Sequence, residues 1–480
     1  IVAVIGDGAL SGGMAMEGLS DAGHSGEPLV IVLNDNGMSI SRSSGGLATM
    51  LSRIRTKPEY INFKRWYRYA FAPRVPVLYR FTHRVKHWIK QRVIADNIFD
   101  DFGFEYLGPI DGHDLDKLET ALRWAKEQGR PCLVHVVTKK GCGYTPAEQE
   151  PERFHGIGAF DPDTGCAIDT GTDFSAVFGE TLTQLAEEDE RVTAITAAMK
   201  EGTGLSCFQK RFPGRFFDVG IAEEHAGAMA AGMASQGLIP VFAVYSTFMQ
   251  RCYDTLIHDI SLMGLHVVLA VDRAGIVGKD GRTHQGVFDA AFLATVPGMK
   301  IYAPASFREL RSMVRTAALE DTCPVAVRYP RGKENRYTDD HSGPSAVVLR
   351  EGSDATIAVY GIQTGHAVEA AEILSETGID AEIVKFNLLA PLDLSVIEDS
   401  VRKTGFLITA EESVSEGSLG QRLCAAFEEE GISLRGIRRI DLGDGILEHG
   451  DPDELRRIKG LDGGGIARAV REALGHEETA

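Results

Sequence analysis

The sequence predicts an α/β protein of three domains, each with a mainly parallel sheet flanked by helices. Three observations carry that expectation. The chain has 480 residues, roughly three times a common domain size. Short β-branched runs alternate with longer amphipathic stretches along most of it. Two polar stretches containing Gly and Pro, 154–172 and 332–345, break that alternation into three series.

In the first series, residues 1–5, 29–33 and 132–137 read as strands, being short, apolar and β-branched. Residues 115–128 read as a helix that Gly129 and Pro131 end. The second series offers strands at 192–196, 241–245, 266–271 and 325–329, with helices at 174–188 and 222–236. In the third, strands are expected at 356–360, 382–386 and 407–410. The expected boundaries are a first domain over 1–153, with a basic excursion over 42–92, a linker over 154–171, a second domain over 172–335 and a third over 346–480.

Composition narrows the class. Hydrophobic residues make up 44% and charged residues 25%, values of a soluble globular protein that exclude a disordered or fibrous chain. The net charge of −18 argues against general nucleic-acid binding and leaves room for local basic pockets that hold phosphates. Between Arg42 and Arg92 the balance reverses: 13 Lys and Arg stand against one acid, Glu59, interleaved with aromatics such as Trp66, Tyr67 and Trp88. A basic arm for a membrane surface or polyanion is one reading of this stretch. An excursion that folds over the acidic body is the preferred one. Seven cysteines, without a C-x-x-C pair, fit a reduced, cytoplasmic compartment. No apolar run approaches the roughly 18 residues of a spanning helix. The chain starts at Ile1 directly on a strand-like run, so an upstream part of the first domain is expected.

Three clusters can carry chemistry. Gly6-Asp7-Gly8 follows the first strand and precedes Ala9 and a helical run. Open parallel sheets bind ligands at such strand ends, where glycine lets backbone N–H groups approach phosphate oxygens. An Asp there repels a phosphate unless a cation lies between them. The next parallel strand ends in Asn34-Asp35-Asn36, so a second oxygen ligand reaches the same edge, a donor set that suits Mg²⁺ shared with a phosphate. Taken singly, each of these residues reads as a strand-end turn former.

The second cluster is Ile221-Ala222-Glu223-Glu224-His225, opening a helix with Ala or Gly at nine of the 16 positions from 222 to 237. Such a helix packs closely against a domain or a subunit, and a first-turn Glu is by itself only a favourable dipole partner. The third gathers Tyr245-Ser-Thr-Phe248-Met-Gln-Arg251, Asp272-Arg273, Asp280-Gly-Arg-Thr-His284 and Tyr329-Pro-Arg331, each after a strand. Arginine forks match phosphate and histidine titrates near neutrality, so a phosphorylated sugar is the expected guest. Any one of these arginines alone reads as a surface ion pair.

Gly6-Asp7-Gly8 with Asn34-Asp35-Asn36 resembles the thiamine diphosphate signature. Ile221-Ala-Glu-Glu-His, Tyr245-Ser-Thr-Phe, Asp272-Arg-Ala-Gly-Ile-Val-Gly, Thr283-His-Gln-Gly and Tyr329-Pro-Arg-Gly resemble the 1-deoxy-D-xylulose-5-phosphate synthase family of the transketolase superfamily. Ile110-Asp-Gly-His-Asp114 and Thr138-Lys-Lys-Gly141 add to the resemblance, which runs through essentially the whole chain. It implies a diphosphate-binding, a pyrimidine-binding and a C-terminal transketolase-like domain, in a cytoplasmic homodimer that binds neither nucleic acid nor membrane. It implies thiamine diphosphate and Mg²⁺ as cofactors. Gly6, Asp7, Gly8, Ala9 and Lys140 fall at the diphosphate, and Asp7, Asn36 and the Met38 carbonyl at the metal. Phe248 and Glu223 fall at the aminopyrimidine. Arg273 and Arg331 fall at the acceptor phosphate, with Tyr245, Arg251, Asp280 and His284 around the reacting atoms.

The implied reaction condenses pyruvate with D-glyceraldehyde 3-phosphate, losing CO2, to give 1-deoxy-D-xylulose 5-phosphate, a precursor for isoprenoid, thiamine and pyridoxal synthesis. Two positions depart from the family: Glu224 stands where Gln is usual, and Cys142 where a basic residue is usual. Rival readings are a transketolase or a 2-oxo-acid dehydrogenase component, a non-catalytic truncated remnant, and a membrane-surface binder working through residues 42–92.

Overall fold

A computed structural model describes residues 1–38, 46, 49–51, 98–166 and 171–476. Most of the basic stretch 42–92 lies outside the described residues. The chain folds as two compact units, Ile1–Asp169 with Val219–Ala222, and Thr170–Asp218 with Glu223–Ala480.

The first unit holds a four-stranded, all-parallel sheet in the order Val2–Gly6, Val30–Asp35, Cys132–Val137, Glu105–Asp111. The apolar strand Val30–Asp35 runs inside the sheet. One face packs Leu10, Leu33, Phe99, Phe104 and Leu133. The other packs Val30, Val134 and Val136 against Ala121 and Ala125 of helix Leu115–Glu127. Asp114 caps that helix by accepting the Lys117 N–H at 3.1 Å. The strand Glu105–Asp111 goes unannounced in the sequence because Gly108-Pro109 interrupts its apolar run, and its register with the neighbouring strand shifts there, between Leu107 and Ile110. Register decides the site: Gly6 pairs with Asn34, so the turns after both strands open at one edge.

The second unit contains two sheets. The larger has the order Leu388–Ala390, Lys300–Tyr302, Val325–Arg328, Val268–Asp272, Ile239–Tyr245, Val192–Thr196, Phe216–Asp218. All of its pairings are parallel except that of Leu388–Ala390, which the third series lends to the sheet edge. Helices Phe174–Glu188 and Phe307–Leu319 cover it, with Phe178, Leu182, Leu310 and Val314 in the core. A side chain at Gly179 would meet the Gly204 carbonyl oxygen at 1.9 Å, so only glycine allows that backbone approach.

The smaller sheet has the order Ala346–Arg350, Ala381–Phe386, Ala355–Tyr360, Phe406–Ala410, Gly436–Ile440, with its first strand antiparallel. Helices Gln363–Ser375 and Gly463–Ala473 bury Ala367, Leu374, Ile466 and Val470 against it. Lys385, from this sheet, is fully buried and pairs with Glu309 of the larger sheet's helix at 2.9 Å.

Candidate active site

In the first unit, Asp7 directly follows its strand, in the turn, and is 5% exposed. Its backbone N–H donates to the Asn34 carbonyl at 3.1 Å, and its Oδ1 faces the Asn36 N–H at 3.4 Å. Asn36 Oδ1 accepts the Met38 N–H at 3.0 Å, closing a tight turn through Gly37, whose φ of +72° suits glycine. Asp7, Asn36 and Met38 therefore share one sheet edge. Among the described residues, no group of three or more His, Cys, Asp and Glu side chains could hold a metal ion. One carboxylate, one amide and one carbonyl form a hard oxygen set, too few to enclose an ion, which fits Mg²⁺ completed by phosphate oxygens.

Lys140 belongs to the same unit. Burial lowers its pKa, while Asp7 and Glu152 act in the opposite direction. Two of the resembling motifs meet here: His113 Nε2 accepts the Lys139 N–H at 2.9 Å. Gly141, at φ +77°, packs against the Ala147 backbone, where a side chain would approach to 2.6 Å. His155, inside the expected linker, carries no motif that marks it in the sequence. It lies near Lys140, and desolvation of the ring and then that ammonium hold its pKa below the ordinary range.

In the second unit, Glu223 opens the helix Glu223–Ala234 and is 1% exposed. Arg251 Nη1 lies 2.8 Å from its Oε2, close enough for an ion pair, yet that oxygen makes no hydrogen bond. Arg251 also reaches Glu224 at 3.3 Å. Burial raises the Glu223 pKa; Arg251 opposes this and Glu224 reinforces it. The structure thus places Arg251 with the two carboxylates.

The remaining predicted residues converge at strand ends of the larger sheet. Arg273 and Arg331 both pair with Asp280, the latter at 2.7 Å. The Arg273 guanidinium lies over the Tyr245 ring at 3.8 Å. Phe248 stacks beside Tyr245 at 6.1 Å and meets His284 edge-on at 5.4 Å. Thr283 Oγ1 bonds His284 Nδ1 at 2.9 Å, and Thr247 donates to the Thr283 carbonyl at 3.0 Å. Burial lowers the His284 pKa; Asp280 opposes this and the two arginines add to it. Tyr245 is pushed up to about 12, chiefly by burial, so its hydroxyl stays protonated.

Arg273 has φ +59°, a conformation an L side chain rarely adopts and one that clusters at functional loops. The loop is held against that strain. Gly275 and Gly286 exchange backbone hydrogen bonds at 2.6 and 2.9 Å. Gln285 Oε1 accepts the Val277 and Gly278 N–H groups, and Glu412, from the smaller sheet, accepts the Ile276 N–H at 2.7 Å. Gln285 stands in the Thr283-His-Gln-Gly motif, which does not itself announce this supporting role; Glu412 is 136 residues from its partner, and no local signal marks such a contact.

Comparison with known proteins agrees with this architecture. Residues 1–138 match the family model described as 1-deoxy-D-xylulose-5-phosphate synthase, 170–335 that of the transketolase pyrimidine binding domain, and 345–466 that of the transketolase C-terminal domain. A solved structure described as a split gene transketolase, inactive beta4 tetramer, is similar with a TM-score of 0.56 and 30% identity, over 64% of this chain and all of that one. The fold and its strand-end clusters define a protein of the transketolase class. Similar 1-deoxy-D-xylulose-5-phosphate synthases come from Desulforudis audaxviator, 48% identical over 98% of this chain and 75% of the relative, and from Heliobacterium modesticaldum, 45% identical over 98% and 74%. The chain belongs to the 1-deoxy-D-xylulose-5-phosphate synthase family, whose members are transketolase-type transferases.

Proposed function

We propose that this chain condenses pyruvate with D-glyceraldehyde 3-phosphate, losing CO2 and forming 1-deoxy-D-xylulose 5-phosphate, with thiamine diphosphate and Mg²⁺. The observation that carries the reading is the pair of arginines, Arg273 and Arg331, converging on Asp280 beside His284 and Tyr245. Two guanidinium forks sharing one carboxylate offer a phosphate site that is preformed and keeps a net positive charge. The domain assignment over 1–153, 172–335 and 346–480, the cytoplasmic setting and the homodimer belong to the same proposal.

The residues fit the cofactor. The buried Glu223 Oε2, which makes no hydrogen bond, suits a ring nitrogen of the aminopyrimidine, and Phe248 offers a ring on which that heterocycle can stack. The backbone N–H groups of Gly6, Gly8 and Ala9 and the charge of Lys140 would hold the diphosphate, and Asp7, Asn36 and the Met38 carbonyl would hold Mg²⁺. Bound thiamine diphosphate supplies the electron sink for decarboxylating a 2-oxo acid. The protein supplies the rest. Glu223, whose pKa burial raises against the opposing Arg251, would hydrogen-bond the ring nitrogen and tune the ring's electronics. Arg273 and Arg331 orient the acceptor by its phosphate. His284, largely neutral near pH 7 because its pKa is lowered, can take a proton from a substrate hydroxyl, and the Tyr245 O–H can donate to a carbonyl oxygen. Arg251 keeps the Glu223 carboxyl in place.

Replacing Glu223 tests the reading: Glu223→Ala is expected to abolish product formation while the far-UV circular dichroism stays unchanged. Near-normal turnover in that variant removes Glu223 from the mechanism.

A further inference from the structure

A buried polar chain runs across three neighbouring strands of the first unit. Tyr106 Oη lies 2.7 Å from His135 Nδ1, and His135 Nε2 lies 2.8 Å from Asp35 Oδ2. Asp35 Oδ1 accepts the Gly37 N–H at 3.1 Å. Asp35 and His135 are fully buried and Tyr106 nearly so. With the His135 ring proton on Nε2 toward Asp35, Nδ1 accepts from the Tyr106 hydroxyl, an arrangement that satisfies each of these bonds.

The chain is built closely. Phe99 stacks parallel to the Tyr106 ring at 6.0 Å. At Gly108, φ +153°, a side chain would stand 2.6 Å from the His135 Cβ, so a glycine lets the Tyr106 strand pass beside the histidine. The neighbouring core positions Leu33, Leu133 and Val134 are apolar. A buried polar network among them is costly unless fully bonded, and apolar residues would fill the same space. Its open end is not in the core. It ends on the Gly37 amide, inside the turn whose neighbours Asn36 and Met38 carry two of the three oxygen donors assigned above to Mg²⁺.

We propose that Tyr106, His135 and Asp35 are positioning residues that fix the Asn36–Gly37–Met38 turn for the cation. The proposal rests on the cofactor reading above. Outer partners of this kind commonly change metal affinity by about 10- to 100-fold when removed.

Tyr106→Phe is the mildest probe, because it keeps the ring stack and removes one hydroxyl. His135→Leu removes the middle of the chain, and His135→Gln restores a donor toward Asp35. In the whole 480-residue chain, hydrogen exchange is read first without cofactor. The Gly37 and Met38 amides are expected to exchange about tenfold faster in Tyr106→Phe and His135→Leu, with His135→Gln in between, while strand Cys132–Val137 is unchanged. Calorimetric titration of Mg²⁺ with thiamine diphosphate present is expected to show affinity reduced about tenfold in the same order. Unchanged exchange at Gly37 and Met38 in both Tyr106→Phe and His135→Leu overturns the proposal, even if the melting temperature falls. If the unaltered chain binds no thiamine diphosphate, the cofactor reading fails, and exchange alone still decides whether the chain holds the turn.

Discussion

Asp272 ends its strand fully buried beside Arg273, with the Tyr329 ring and hydroxyl close to it. Burial pushes its carboxyl up to about 7, and the Arg273 guanidinium only partly offsets this. In the unfolded chain an Asp titrates near 3.9. Between those values the folded state keeps a proton that the unfolded state has lost, so stability falls as pH rises from about 4 to about 7, by an amount on the order of a few kcal/mol. Asp272→Asn is expected to flatten that slope, read as the urea midpoint at pH 5 and pH 8; an unaltered slope would show that Asp272 is ionised in the fold. Arg331 makes a different test. It is half-buried and pairs with Asp280, and Arg331→Ala is expected to raise the KM for the phosphorylated acceptor by about 10- to 100-fold, the loss of roughly one charge-assisted contact. Its affinity for thiamine diphosphate should stay the same, and a parallel loss of both would place Arg331 outside the acceptor site.

Among the elements, the strand Leu388–Ala390 and the Lys385–Glu309 pair join the third series to the larger sheet. Burial lowers the Lys385 pKa and Glu309 counters it, so each charge depends on the other. Tyr337 Oη also donates to Glu309 at 2.7 Å. Glu309→Ala, which strands a buried ammonium, is expected to destabilise the chain by about 3–5 kcal/mol in urea unfolding, and pairing it with Lys385→Met should recover most of the loss. A double variant as unstable as Glu309→Ala would mean that the helix itself, rather than the charge pair, sets the stability. These joints were not legible in the sequence, although the elements around them were. Helix Phe174–Glu188 and strands Val192–Thr196 and Cys132–Val137 match expectation because their apolar pattern and caps are local. Strand Leu388–Ala390 has three residues and is defined only by what it pairs with. The site divides the same way. Asp7, Asn36, Glu223 and the arginines stand in short motifs at strand ends, whereas His135 sits mid-strand, and its partners Tyr106 and Asp35 are 29 and 100 residues away.

For the whole molecule, the candidate motifs stand at strand ends, and within the second unit the smaller sheet's series braces the Arg273 loop through Glu412. No described helix is long and apolar enough to cross a membrane. The basic balance of residues 42–92, +12 within a chain of −18, lies almost wholly outside the described residues. The chain is incubated with thiamine diphosphate, Mg²⁺, pyruvate and D-glyceraldehyde 3-phosphate, and the products are read by mass spectrometry with CO2 release followed in parallel. The expected result is a pentulose phosphate that needs both substrates, appears with stoichiometric CO2 and vanishes in Glu223→Ala. Cofactor binding without any pentulose phosphate, or a sugar phosphate formed without CO2, would contradict it.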